Sequence, residues 1–253
     1  MLDPVLLYPI LFLTGLIAGL IDSIAGGGGL ITMPVLLSVG FPPHEVLGTN
    51  KFQSSFGSFT ASYYYVKKGG VKLEETKWGI LFTLIGAALG VLVVQQISSD
   101  VLKYIIPVML AGIIIYTFAK PNLGDFDRRA RFTPFMFYVV FGLTLGFYDG
   151  FFGPGVGSFW ALAFVAGMGF NFTKATGYTK VMNFTSNVVS LFLFLISGNI
   201  VFTAGITMAM GQIIGAKIGS GLVIKKGAKF IRPVFLTVVI LTTLKLLFDR
   251  FFH

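Results

Sequence analysis

Apolar runs punctuated by glycine, proline and charge recur along the whole chain, at roughly 5–21, 30–41, 46–66, 78–97, 101–119, 133–148, 156–170, 175–196, 200–224 and 231–248. Most come close to the ~20 apolar residues that a helix needs to cross the hydrocarbon core of a bilayer. Two do not. At about 1.5 Å of rise per residue, 30–41 and 156–170 are too short to cross, and each follows a glycine-rich break. Each reads as one arm of a broken helical hairpin. The widest polar interval runs from Lys120 to Arg131, with Pro121, Gly124, Asp125, Asp127, Arg128 and Arg129, and divides the chain near its middle.

The two sides of that divide match. Placing residue 15 on 142 pairs Gly19 with Gly146, Asp22 with Asp149, Gly26 with Gly153 and Gly28 with Gly155. After a two-residue insertion, Gly40-Phe41 falls on Gly169-Phe170, and Gly48-Thr-Asn-Lys51 on Gly177-Tyr-Thr-Lys180. Gly69 then meets Gly198, while Gly86 and Gly90 meet Gly215 and Gly219. One shift that holds over so many glycines marks an internal duplication. The division is residues 1–119 as a first membrane repeat, 120–132 as a cytoplasmic linker and 133–253 as a second repeat. The small-xxx-small spacing of Gly86/Gly90 and Gly215/Gly219 suits close helix packing in lipid.

Loop charge orients the halves. Loop 67–77 carries Lys67, Lys68, Lys72 and Lys77, whereas loop 98–103 is nearly neutral. In the second half the bias is swapped: Ser197–Thr203 has no charge, and the following loop carries Lys225, Lys226, Lys229 and Arg232. Lys and Arg mark the cytoplasmic side, so equivalent loops face opposite sides. The expected fold is an all-α polytopic membrane protein of two inverted-topology repeats, each a Gly-broken helical hairpin followed by three transmembrane helices. Both termini then lie outside. Whether the hairpin arms fully cross is left open, since either form gives the same sidedness.

Composition agrees. Hydrophobic residues make up 55% of the 253, charged residues only 11%, and the mean hydropathy is +0.86. A soluble domain carries about a quarter charged residues. The net charge of +9 resides in short loops, where it orients the chain and meets anionic lipid rather than nucleic acid. Cysteine is absent and histidine occurs only as His44 and His253, which excludes thiol chemistry and a histidine-rich metal site. No phosphate-binding loop, dinucleotide fingerprint, zinc-protease motif or serine nucleophile elbow occurs, so no cofactor and no enzymatic role are expected.

Charges inside apolar spans are costly and mark function by default. Here they are Asp22, Lys51, Asp149, Lys180 and Lys217, and four of them form repeat-related pairs. Lys217 reads as snorkelling to the cytoplasmic headgroups. A glycine run at membrane depth breaks the helix and frees amides that protein, water or ligand must satisfy. The half-helix that follows aims its N–H groups and positive dipole end at the break. Gly26, Gly27, Gly28 and Gly29, with Gly153, Gly155 and Gly157, are therefore the candidate anion cradle. Thr49, Asn50, Thr179 and Asn183 are candidate hydrogen-bond donors, and Lys51 and Lys180 candidate charge partners, although snorkelling competes for the lysines. Lys51, Ser54, Ser55 and Ser58, like Lys180, Asn183, Asn187 and Ser190, recur at helical spacing as a polar stripe. Asp22 and Asp149 are either structural anchors for the glycine turns or proton-coupling groups.

At these residues a family becomes recognisable. Ile21-Asp-Ser-Ile-Ala-Gly-Gly-Gly-Gly-Leu-Ile-Thr-Met-Pro34 and Gly48-Thr-Asn-Lys-Phe-Gln-Ser-Ser-Phe-Gly-Ser58 resemble the sulfite exporter TauE/SafE family, also called the 4-toluene sulfonate uptake permease family. Gly146-Phe-Tyr-Asp-Gly-Phe-Phe-Gly-Pro-Gly-Val-Gly-Ser158 and Thr179-Lys-Val-Met-Asn-Phe-Thr-Ser-Asn187 are similar to its second-half motifs. The resemblance implies a bacterial-type inner-membrane permease for sulfite, a sulfonate or another small organosulfur anion, with the substrate site at these segments. The partners so implied are a small anion and the bilayer, with H+ and Na+ as candidate coupling ions and room for a homo-oligomer. The rival readings are an anion channel and a non-transporting scaffold or lipid-handling protein.

Overall fold

A computed structural model of the chain describes residues 4–106, 108–109 and 129–226. Among these the regular structure is all helical, with no β-strand. The first half supplies α1 (Pro4–Ala25), α2 (Gly29–Ser38), α3 (Pro43–Lys67) and α4 (Lys77–Gln95). A helical stretch over 99–106 begins the next expected span. The second half supplies α5 (Pro134–Phe151), α6 (Val156–Gly167), α7 (Phe172–Ile196) and α8 (Phe202–Lys226). Most of the expected span at 101–119, all of that at 231–248, and most of the basic linker lie outside the described residues.

Among the described residues, five stretches are long and apolar enough to cross a membrane: Val5–Ile24, Leu73–Gln95, Pro134–Phe151, Phe172–Ile196 and Phe202–Lys225. The second of these joins α4 to the short 3-10 turn Leu73–Thr76. Helix α3 matches α7 at 25 residues. It is more polar because Thr49, Asn50, Lys51, Gln53, Ser55, Ser58 and Ser62 are buried along it. That is a helix whose polar face looks inward, the inverse of a water-soluble helix.

The helix ends follow from sequence. Pro43 opens α3 and Pro134 opens α5, where a missing N–H costs nothing. The side chain of Asn171 caps α7 by accepting from the Lys174 amide at 2.9 Å. Apart from the two glycine breaks, four described helices stop on glycines in the left-handed region, Gly40 after α2, Gly69 after α3, Gly169 after α6 and Gly198 after α7. These are two repeat-related pairs. At the α3 and α7 ends the amides of Gly70 and Asn199 return to the carbonyls of Tyr65 and Phe194, which satisfies equivalent orphan acceptors in the same way.

Helix α1 packs along α8 and α4 along α5, with α3 and α7 crossing between them. Small residues set the spacing of the outer pairs. A β-carbon on Gly215 would meet the Leu16 carbonyl oxygen at 2.0 Å, and one on Gly90 that of Phe147 at 2.1 Å. Direction is legible in the contacts. Phe59 packs on Phe184, and Tyr65, six residues on, reaches Gly177, so α3 and α7 run antiparallel. Phe52 meets Phe202 and Gly205 while Gly57 meets Gln212, so α3 and α8 run parallel. Gly15 faces Met208 and Gly19 faces Gln212, so α1 is parallel to α8, and Gly142 with Gly146 meets Phe82 and Thr83 as α5 runs parallel to α4.

Two apolar clusters flank the polar centre. One gathers Leu11, Leu30, Met33, Leu47, Val91 and Phe152, and the other is aromatic, with Tyr65, Phe137, Tyr138, Trp160, Phe164 and Tyr178.

Candidate functional site

The two glycine breaks meet at the centre of the bundle. Gly26 takes φ +75 and Gly153 and Gly155 take φ +99 and +79, a region costly to any side chain. Gly26 and Gly157 touch backbone to backbone: a β-carbon on Gly26 would lie 2.3 Å from the Gly157 Cα. Gly29 packs likewise against Pro154. Below this contact Asp22 secures its own turn, since its carbonyl accepts from the Gly26 amide at 2.8 Å and its carboxylate from the Gly28 amide at 3.3 Å. The Tyr148 hydroxyl secures the other turn by donating to the Pro154 carbonyl at 2.7 Å.

The four repeat-related charges pair crosswise. Lys51 of the first half binds Asp149 of the second at 2.5 Å, and Lys180 of the second binds Asp22 of the first at 3.2 Å. Each ammonium also donates to the backbone carbonyl of the same aspartate. The lysine side chains are 1% and 0% exposed, so neither snorkels. Desolvating such charges is costly unless the pair is intact, and removing one partner typically costs about 3–5 kcal/mol. The pairs stitch the halves together at the level of the breaks.

Between the breaks and the α3/α7 crossing lies a cavity with about 30 Å³ open to the centres of water-sized molecules, room for about two waters. Of the residues singled out from sequence, the cavity brings together Gly26, Gly29, Asn50, Lys51, Gly153, Gly155, Gly157 and Asn183, with Asp22 and Asp149. Gly29, Val156 and Gly157 place the first turns of α2 and α6 on it, which directs helix N-termini at the space. The Asn183 side-chain oxygen is buried with no hydrogen-bond partner among the described residues. Turning that amide would offer its NH2 to an oxyanion instead.

Other expected residues stand apart. Gly27, Gly28, Thr49, Thr179 and Lys180 are not among the lining residues. Lys180 sits behind Asp22. Thr49 accepts from the Val201 amide at 2.9 Å, and its repeat mate Tyr178 accepts from the Lys72 amide at 3.4 Å and binds Glu75. These two are equivalent clamps on the segments that lead into α8 and α4. The Thr179 hydroxyl is buried, with no hydrogen-bond partner among the described residues.

The sequence reading picked out neither Ser54 nor Asn187 as a binding group, although both line the cavity. Their place in the polar stripe was the available signal. It also missed Gln212, which donates to Gln53, whose own amide donates to Asn50 at 2.9 Å and so ties α8 to the cavity wall. Nor did it find the crosswise pairing. The signal there was arithmetic: the two acids and two bases of the matched segments, one of each per half, sum to zero.

Apolar helices long enough to span a bilayer, packed around buried ion pairs, define a multi-pass integral membrane protein with a small polar cavity at its core. The chain belongs to the sulfite exporter TauE/SafE family, whose profile matches residues 11–246. It is 44% identical over 249 residues to the probable membrane transporter protein YfcA of Escherichia coli K12, covering 98% of this chain and 92% of the relative. It is 46% identical over 239 residues to the probable membrane transporter protein ORF9 of a Sinorhizobium species, covering 94% and 92%. A plant protein, Sulfite exporter TauE/SafE family protein 6 of Arabidopsis thaliana, is 29% identical over 115 residues, or 44% of this chain and 26% of its own length. No solved structure matches. The curated relatives are named probable membrane transporter proteins, which supports a transporter role for this chain.

Proposed function

We propose that the protein is a secondary transporter that carries a small anion, sulfite or a small sulfonate, across the inner membrane by alternating access. The observation that carries this reading is the meeting of both glycine breaks and both crosswise ion pairs around one cavity at the seam of the halves. Inverted-topology repeats are the arrangement that fits. If α3 points up, α7 points down; α8 and α1 then point up with α3. The chain turns back between α3 and α4, so α4 points down, and α5 with it. Repeat-equivalent α1 and α5 are thus opposed, as the loop charges require, with both termini outside. Midplane sites built from broken helices at such a seam are the usual architecture of alternating access.

The lining chemistry supports an anion: helix N-termini, hydroxyl and amide groups, and a lysine. The small volume favours a compact oxyanion over an aryl sulfonate. The Thr49 and Tyr178 clamps lie toward opposite ends of the antiparallel pair, where two alternating gates belong. The test is counterflow in proteoliposomes. Saturable exchange of external labelled sulfite for internal unlabelled sulfite, thiosulfate or methanesulfonate is the expected result. Flux that never saturates and shows no counterflow would make the protein a channel, and no flux of any of these would end the transport reading.

A further inference from the structure

The two ion pairs are unequal, and the inequality identifies a second ligand. Asp149 is 3% exposed and receives hydrogen bonds from both Lys51 and the Ser186 hydroxyl. Asp22 is 25% exposed, lines the cavity, and holds Lys180 at 3.2 Å and the Gly28 amide at 3.3 Å. The position equivalent to Ser186 is Gly57, where the Gln212 side chain would stand 2.2 Å from any β-carbon, so no hydroxyl reaches Asp22 from there.

Charge then decides what must happen when an anion enters. Lys51, Lys180, Asp22 and Asp149 sum to zero, and a monoanion added to this enclosed site leaves one uncompensated negative charge. We infer that the anion binds together with one proton, and that Asp22, not Asp149, takes it. The proton comes from water and ends on the Asp22 carboxylate. Lys180 stays an ammonium, loses its counter-charge, and leaves a net positive charge beside the cavity for the anion. Protonating Asp149 would instead weaken two charge-assisted bonds, from Lys51 and from the Ser186 hydroxyl, at a carboxylate that is only 3% exposed.

The charged and titratable groups around Asp22 are consistent with this. Lys180 faces it from α7, and Lys51 with Asp149 faces it across the cavity. From α3 the Tyr65 hydroxyl is occupied by the neighbouring Ser23 carbonyl at 3.1 Å. Lys217 on α8 lies on the exposed face.

The inference rests on the anion-transport reading, and methanesulfonate, which stays a monoanion across the accessible pH range, separates the two. Its binding to purified protein in nanodiscs is expected to tighten by about tenfold for each unit of falling pH, with about one proton taken up per anion from a weakly buffered solution. Asp22→Asn should bind with one affinity at every pH, and Asp22→Glu, which restores a carboxyl, should recover the slope. Affinity independent of pH with no proton uptake in the natural protein, or a slope that survives Asp22→Asn, overturns this inference and leaves the transport reading standing. No binding of methanesulfonate, sulfite or thiosulfate at any pH overturns both.

Discussion

Lys51–Asp149 and Lys180–Asp22 occupy equivalent places in the two halves but have different surroundings. The first is sealed: 1% and 3% exposed, with Ser186 completing the acid's coordination. The second is open on its acidic side, where Asp22 is 25% exposed. The same residue types at the same register therefore need not share a role. A sealed pair holds the halves together, because either charge alone in that space is untenable. An open pair can exchange partners, because water and solutes stabilise whatever it releases. The divergence is traceable to single positions, Ser186 against Gly57 and Thr83 against Gln212. Thr83 touches the Met182 sulfur, whereas Gln212 bonds Gln53 at the equivalent place.

The sharpest way to break this contrast is to remove one charge at a time. Lys51→Ala or Asp149→Ala should cost about 3–5 kcal/mol of stability, read from unfolding in detergent. Lys180→Ala should cost less, about 1–2 kcal/mol, because the Asp22 it leaves behind can be hydrated. Equal losses at both pairs would erase the distinction. Next comes the contact between the breaks. Gly26→Ala should lose about 2–4 kcal/mol by combining left-handed strain with a backbone clash at Gly157. Gly40→Ala, also left-handed but with nothing within 4 Å of the new carbon, should lose only about 1–2 kcal/mol in the same melt. Ser186→Ala, which removes one hydrogen bond to a charged acceptor, should cost about 1.5–3 kcal/mol. If it also gives anion binding a second, Asp149-dependent proton, measured by dye, the seal on Asp149 is confirmed as the reason for its inertness.

Much of this was legible in sequence, for reasons that differ by residue. The hairpin breaks were visible because glycine readily accepts the positive φ of Gly26, Gly153 and Gly155, and the ends of α3 and α7 because the glycines that follow them, Gly69 and Gly198, are left-handed too. Helix α3 was legible as a long helix despite its polarity, since its serines and amides fall on one stripe. The position of Lys180 behind Asp22 was not, because spacing along a helix places a side chain on a face without saying which neighbour stands in front of it. Thr49 shows the same limit: its hydroxyl accepts from the Val201 amide, 152 residues away in sequence, a partner that helix spacing does not name. Crosswise pairing depends on how the halves dock, which no single helix encodes.

Selenite offers the most direct measurement, since it has the shape and charge of sulfite and selenium scatters anomalously. Diffraction from crystals grown with it should place one selenium peak in the cavity between the Gly26–Gly157 contact and the α3/α7 crossing, within hydrogen-bonding reach of the first turns of α2 and α6. A peak confined to a lipid-facing or loop position, or none at saturating selenite, would contradict the account.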